Sequence, residues 1–317
     1  MTVAEFNKRI EIATNPLPGS IPSEIIYRLA VKQKFDKKNI LDFYTQALPK
    51  ISREIWIEKI KMGNITLNDK IASLDTKVKA GEITRHSFKN HTEPDINNEI
   101  KLIHFDEDFL VLNKPAPLPV HPCGRFNKNS LISILDFAFP EEKFKLIHRL
   151  DANTTGLIII GKSIEATKKI NSQFENNTIQ KEYIALVDGI INDDSLLSEK
   201  PVGKKLTSSG GRSLDESGQH AKTIFKVIRR LNEQNQTIIS ALPIHGRTNQ
   251  IRLHLADLGY PIVGDYGYKD PFYFENNPLT YKSDCLFLHA WKLTFLHPTT
   301  QNKVSLTAEL PAKFINL

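Results

Sequence analysis

Residues 146–160 read Leu146-Ile147-His148-Arg149-Leu150-Asp151-Ala152-Asn153-Thr154-Thr155-Gly156-Leu157-Ile158-Ile159-Ile160. Leu157 to Ile160 is an unbroken run of four large aliphatic residues. It reads as a buried strand entered through a polar turn. That turn carries one carboxylate, Asp151, at the mouth of the strand. Such a turn fixes a side chain while leaving it reachable, which is how scaffolds present a nucleophile. Asp also caps turns through backbone amides with no chemistry attached, and on this segment alone capping is the commoner reading.

Two further segments add to it. In Gln180-Lys181-Glu182-Tyr183-Ile184-Ala185-Leu186-Val187-Asp188-Gly189, Lys181 and Tyr183 share one parity and Ile184 and Leu186 the other. That alternation predicts a strand with Tyr183 pointing away from the main apolar face. A tyrosine so placed stacks on a base with ~1–3 kcal/mol, although a half-buried strand tyrosine is the plainer reading. Residues 245–261 place Leu255 and Leu258 at helical spacing from Ile251, with Thr248 as a cap and Gly259 and Pro261 as a stop. A helix is predicted. Arg252 then lies about one turn in, on the side of Asn249 and Gln250, and Gly246-Arg247-Thr248 offers free backbone amides to a phosphate or base. A surface arginine on an ordinary helix is the alternative.

Working outward, the 317 residues suggest two domains, at roughly 150 residues each. With 40% hydrophobic and 25% charged residues the composition is globular rather than disordered. Lys and Arg number 42 against 36 Asp and Glu, which suits a polyanionic partner without demanding one. Cys123 and Cys285 form no CxxC pair, which argues against a disulfide framework or thiolate zinc site and fits a reducing cytoplasm. No apolar run approaches the roughly 20 residues that span a bilayer. The opening MTVAEFNKRIEI offers no signal-peptide segment, so no membrane is expected. His148, His245, His254, His289 and His297 form no HExxH, and no metal is expected.

Residues 1–38, with Pro16, Pro18 and Pro22, read as an extension holding a short helix and a turn. Residues 39–89 read as two short helices, the second capped by Ser52 and stopped by Gly63, followed by a hairpin turning at Asn68-Asp69. His86 to Asn98 is polar and aperiodic, so the linker is set at 90–99. From 100 to 317 strand-like runs alternate with helical stretches, and Gly210-Gly211 marks a mobile loop.

Taken in order, HRLDANTTGLIII (148–160), KEYIALVDG (181–189) and GRTNQIRLHLADLGYPIVGDYGY (246–268) resemble the three motif segments of the RluA-type family of RNA pseudouridine synthases. NKPAPLPVHP (113–122) is similar to the family's opening strand, and Leu288-His289-Ala290 with His297-Pro298 to its closing pair. The resemblance spans 100 to about 310. It implies an α+β pseudouridine-synthase fold with a central mixed, mostly antiparallel sheet flanked by helices. The upstream module resembles a small α/β S4-type RNA-binding domain. There Ile40 stands for an arginine, Asp69 for a glycine and Glu82 for an aspartate, which implies a retained fold with reduced RNA contact. In the body, Asn249 stands for a histidine, His245 for a threonine and Thr155 for a serine.

The implied reaction breaks the N1–C1′ bond of a uridine, turns the captive uracil and joins C5 to C1′, with no net redox change and no cofactor. Extruding the nucleotide costs a few kcal/mol. Asp151 is the implied catalytic carboxylate, acting at C1′, at C6 or on a ribose proton. Arg252 is its implied partner, since a cation within about 4–6 Å favours the ionised form. Tyr183 stacks on the base, Leu288 forms an apolar wall and Arg149 fills the space left by the flipped base. His148, Thr154, Lys181, Gly246, Arg247, Thr248, Asn249 and Gln250 complete the expected substrate site. The implied partner is ribosomal or transfer RNA, and the implied state a monomer. PVHPCGRFNKNSL (119–131) is similar to a branch that includes transfer-RNA modifiers. The competing reading, a non-catalytic RNA-binding or ribosome-assembly factor, is disfavoured by the joint presence of Asp151, Tyr183 and Arg252.

Overall fold

Helix α1 (Val3–Thr14) starts at Thr2, whose hydroxyl accepts the Glu5 amide while the Glu5 carboxylate accepts the Thr2 amide. This closed capping box satisfies two amides that the first turn leaves over. In the computed structural model, which describes residues 1–49, 51–205, 211–269 and 286–315, the chain divides into two units. One is Gly19–Glu93; the other joins Met1–Pro18 to Pro94–Leu317. Helix α1 belongs to the larger unit because its apolar face, Phe6 and Ile10, is buried there, with Phe6 stacked on Phe139 at 5.5 Å. Residues 1–38, expected as one extension, are therefore divided between the two units.

The smaller unit contains β1 (Ser23–Ala30), α2 (Ile40–Ala47), α3 (Arg53–Lys61), β2 (Ile65–Leu67), β3 (Lys70–Ile71) and β4 (Ile83–His91). Its antiparallel sheet runs β1-β4-β2-β3. Ile40, Phe43 and Tyr44 of α2 meet Trp56 and Ile60 of α3 over Ile65. Ile40 is fully buried there, so it packs rather than presenting a side chain to RNA. Asn68 and Asp69 turn the hairpin with φ of 46° and 67°. Two left-handed residues match the twist of the flanking strands, and Asn and Asp tolerate that conformation. Strand β1 went unread because its burial does not alternate cleanly. The expected linker starts too early: β4 continues to His91, paired with β1 on one side and β2 on the other, while Thr84 and His86 turn inward. Polar composition hid a strand whose inward residues are themselves polar.

The larger unit follows with β5 (Lys101–Phe105), β6 (Phe109–Lys114), α4 (Leu131–Ala138), β7 (Lys145–Leu146), β8 (Thr155–Gly161), α5 (Ile164–Glu175) and β9 (Gln180–Asp188). It continues with β10 (Ser195–Ser198), β11 (Thr223–Leu231), β12 (Gln236–Pro243), α6 (Gln250–Asp257), α7 (Tyr266–Lys269), β13 (Leu288–Leu296), β14 (Lys303–Thr307) and a short helix, Ala312–Ile315. The strands form one sheet in the order β10-β11-β12-β9-β13-β8-β6-β5, with β14 beside β13 and β7 beside β8. Among the described residues its only parallel pairing is β13 with β8, where His289 meets Thr155 and Ala290 meets Gly156. The sheet is thus mixed and mostly antiparallel, with helices on it, as the sequence implied.

Strand β8 is buried along its whole length because both faces are covered. Ile158 and Ile160 pack with Leu131, Ile134 and Leu135 of α4; Leu157 and Ile159 pack with Ile170 of α5. Each such side chain contributes about 1.5–3 kcal/mol on burial, which anchors the turn that precedes it. On β9, Ile184 and Leu186 pack with Ile238 and Phe314, whereas Ala185, Val187 and the adjoining Tyr183 pack against Ile251 and Leu255 of α6. The parity expected for Tyr183 holds, but its face is apolar too, because α6 covers it. Gly210 of the expected loop, and Cys285, lie outside the described residues. No helix among the described residues is long and apolar enough to cross a membrane.

Candidate active site

Asp151 lies in the loop between β7 and β8, where its carbonyl accepts the Thr154 amide at 3.0 Å. The loop is fastened from below by Lys114 at the end of β6. Its ammonium, fully buried, donates to the carbonyls of Pro115 (2.8 Å), Leu118 (2.9 Å) and Ala152 (3.1 Å), the last being the residue after Asp151. Burial pushes the Lys114 ammonium down to about 7, with the Asp151 charge working the other way. Just beyond, Gly156 has φ of +110° and its α-carbon lies against the Ala290 backbone. Only a residue without a side chain admits that approach of β13.

Helix α6 delivers the opposing cation. Its cap is Asn249 rather than the expected Thr248. Asn249 sits at φ 60°, ψ 18°, with no side-chain cap hydrogen bond. A left-handed asparagine turns the chain sharply and frees its amide for other work: Oδ1 accepts Arg252 Nη1 at 3.1 Å, and Nδ2 donates to the Tyr268 hydroxyl at 2.7 Å. Arg252 Nη1 also donates to Asp151 Oδ2 at 2.9 Å. The rest of the guanidinium is held by Asp265, with Nε to Oδ2 at 2.7 Å and Nη2 to Oδ1 at 2.8 Å, and it lies over the Tyr268 ring at 4.8 Å. Burial works against the arginine charge, but the hydrogen bonds and charge of Asp265, then Asp151, more than offset it and hold the group above its ordinary range. Such a planar fork gripping a carboxylate is directional as well as strong.

Tyr183 pairs across the sheet with Ala241 and Ala290 and turns its phenol toward the same pocket. Burial, and behind it the Asp151 charge, push the phenol above its usual range, so it is neutral at physiological pH. Leu288 supplies an apolar wall beside it.

Asp151, Arg149, Thr154, Lys181, Tyr183, Gly246, Arg247, Asn249, Gln250, Arg252 and Leu288 all line this pocket, so eleven of the thirteen residues expected at the site come together there. His148 and Thr248 do not. The His148 ring faces the core, where Nε2 accepts the Ile159 amide at 2.9 Å and the ring lies on Phe174 at 4.7 Å. Burial, then Lys181, pushes it down to about 3, so it remains neutral. Thr248 is exposed. Gln250 touches the pocket but is tied inward: Nε2 donates to the Lys222 carbonyl and Thr223 hydroxyl, both at 3.0 Å, and Oε1 accepts the Arg247 amide at 3.0 Å. The Arg247 amide is thereby taken, contrary to the expectation of a free one. Sequence reasoning missed Asp265, Tyr268 and Lys114. The first two lie in the GDYGY stretch, and a lysine closing the apolar strand FLVLNK was the available signal for the third.

Comparison with known proteins places the chain in a family. A family model described as RNA pseudouridylate synthase matches residues 108–257. The ribosomal large subunit pseudouridine synthase C of Buchnera aphidicola is 31% identical over 303 residues, covering 90% of this chain and 94% of that protein. The mitochondrial tRNA pseudouridine(32) synthase of Saccharomyces cerevisiae is 30% identical over 273 residues, 84% of this chain, which spans 58% of that relative's length. In fold, human RNA Pseudouridylate Synthase Domain Containing 1 superposes with a TM-score of 0.55 at 24% identity, over 69% of this chain and 87% of that one. By its similarity to these proteins, the chain belongs to the RNA pseudouridylate synthase family.

Proposed function

We propose that this chain isomerises uridine to pseudouridine in RNA, with Asp151 as the group that acts on the nucleoside. The observation that carries the reading is the ion pair of Asp151 with Arg252 at 2.9 Å, on the floor of a pocket that also holds Tyr183 and Leu288. Isomerisation breaks one bond at C1′ and forms another there. The proton lost from C5 is balanced by one gained at N1. A carboxylate at the sugar, a flat aromatic surface for the turning uracil and a way to keep the base captive are what the chemistry requires. Tyr183, as a neutral phenol, offers its ring to the base and its hydroxyl as a hydrogen-bond donor. Arg149, exposed at the mouth, takes the place of the extruded base. Such a base is most easily drawn from a loop or a bulge.

The RNA is ribosomal or transfer RNA, the two classes for which relatives are named. The unit Gly19–Glu93, with two helices before a hairpin, serves as an S4-like RNA-binding module. The exposed, unpaired Cys123 suits a reducing compartment such as the cytoplasm. Isomerisation releases the hydrogen at C5, so RNA labelled with [5-³H]uridine, taken from cells lacking the gene, loses tritium to water when the purified protein acts. Absence of release from both ribosomal and transfer RNA fractions would refute the activity, and a pseudouridine map of the same RNA identifies the position.

A further inference from the structure

The lining of the pocket holds more positive charge than the isomerisation uses. Lys181 of β9, Arg247 before α6 and Arg149 all line it. Among the described residues none of the three has a carboxylate within ion-pair distance. Lys181 Nζ donates to the Ile244 carbonyl at 3.1 Å, and Arg247 Nε to the His220 carbonyl at 3.0 Å. His245 lines the same pocket and lies within electrostatic reach of both. Its ring lies 4.8 Å from that of His220, and its Nδ1 is buried with no hydrogen-bond partner. A buried nitrogen left unsatisfied is uncommon in folded proteins.

The titratable groups that face His245 are His220, Arg247 and Lys181, none of them an acid. The acid beyond His220 is Glu199, which is paired with Lys222 at 2.7 Å. Asp151 is engaged by Arg252. Burial first, and then these neighbours, hold the imidazole below its usual range. Burial, then Arg247, likewise brings the Lys181 ammonium down to about 8. These side chains are donors without an acid to meet. A uracil edge offers both donors and acceptors, but a phosphodiester offers only acceptors and a full negative charge. Its match with a cluster of donors is charge-assisted throughout.

We propose that Lys181, His245 and Arg247 form a subsite for one backbone phosphodiester of the RNA, adjacent to the uridine in the pocket, and that His245 binds it as the imidazolium. The proposal rests on the reading of this pocket as an RNA uridine site. Protonated, the ring carries a full positive charge beside Lys181 and Arg247, and the phosphodiester offsets it. The phosphodiester does not titrate near neutrality, so the proton taken up on binding belongs to the protein. Affinity therefore rises as the pH falls.

The test uses filter binding of the [5-³H]uridine-labelled RNA to the full-length protein. Wild type is expected to bind about fourfold more tightly at about pH 6 than at about pH 8, which is what a gain of one pKa unit by the imidazole yields across that window. His245→Asn is expected to reduce that difference to about twofold. Arg247→Gln is expected to lower the slope of log Kobs against log salt by about 0.7–0.9, the loss of one phosphate contact; it also serves should H245N fold poorly. An equal pH dependence in wild type and H245N, or an unchanged salt slope in Arg247→Gln, overturns the subsite. Tritium release is followed in parallel. Release with a flat binding profile removes the subsite and leaves the synthase reading standing, whereas a steep profile without release does the reverse.

Discussion

Asp265 grips Arg252 at two points, Nε and Nη2, and leaves Nη1 as the guanidinium nitrogen that reaches Asp151. Two carboxylates share one cation, and they do so unequally. Asp265 is 2% exposed and Asp151 25%, so the buried acid fixes the arginine and the more open one faces the pocket. The aim of Arg252 is thus set from behind.

If that is so, Asp265→Ala leaves a buried arginine half-unpaired. A loss of stability of about 3–5 kcal/mol is expected, readable by urea unfolding. In the folded fraction kcat should fall at least about tenfold with little change in KM, since orientation rather than substrate contact is lost. Asp265→Asn, which keeps the shape and one acceptor, should lie between this variant and wild type. A variant that melts early yet turns over normally would show that Asp265 only stabilises.

Asp151→Asn should abolish tritium release while RNA binding stays within about threefold of wild type, because a removed negative charge does not weaken attraction to a polyanion. Measurable turnover in this variant would move the chemistry to another group.

Gly156→Ala should destabilise the protein by about 2–5 kcal/mol, combining a φ that disfavours a side chain with a β-carbon pressed into the Ala290 carbonyl. The seam between β8 and β13 must open to admit it, and the Asp151 turn moves with the seam. Unfolding curves and tritium release should fall together; a stable, active G156A would mean that the seam tolerates a shift.

Acid should destabilise the larger unit. His148 and His289 titrate near 6.5 in an unfolded chain, but burial first, then Lys181 and Lys313 respectively, pushes them down to about 3 and about 4 in the fold. Below 6.5 the unfolded chain therefore binds more protons, and stability falls with pH until the folded values are reached. Each imidazole contributes a slope of up to about 1.4 kcal/mol per pH unit. His148→Gln should make the acid limb shallower by one proton in urea titrations at stepped pH. An unchanged limb would mean that His148 protonates in place.

What was legible in the sequence was local. Strand β8 and the Asp151 turn announce themselves through an uninterrupted apolar run behind polar residues, and α6 through the spacing of Ile251, Leu255 and Leu258. The contacts that give other residues their meaning cross the chain. Arg252 meets Asp265 13 positions away, Lys114 meets Ala152 38 positions away, and Arg252 meets Asp151 across 101. Nothing in the composition of the stretch around Asp265 distinguishes it from a surface loop until α6 is laid against it. His148 shows the opposite error. The resemblance of the HRLD segment set it in the site with Arg149 and Asp151, but successive residues of an extended segment point to opposite sides, and the imidazole turned away from the pocket to Ile159 and Phe174. The same physics hid β1, whose residues are too exposed to alternate.

Strand β13 stands between β9 and β8, yet it is made long after both. While the chain emerges from the ribosome, the sheet exists as two partial sheets with bare inner margins, one carrying the Asp151 turn and the other Tyr183. Residues 288–296 close the gap. The nascent protein is thus without a competent pocket until that strand has been translated, and for that interval β8 and β9 each lack a neighbour on the side that β13 later fills.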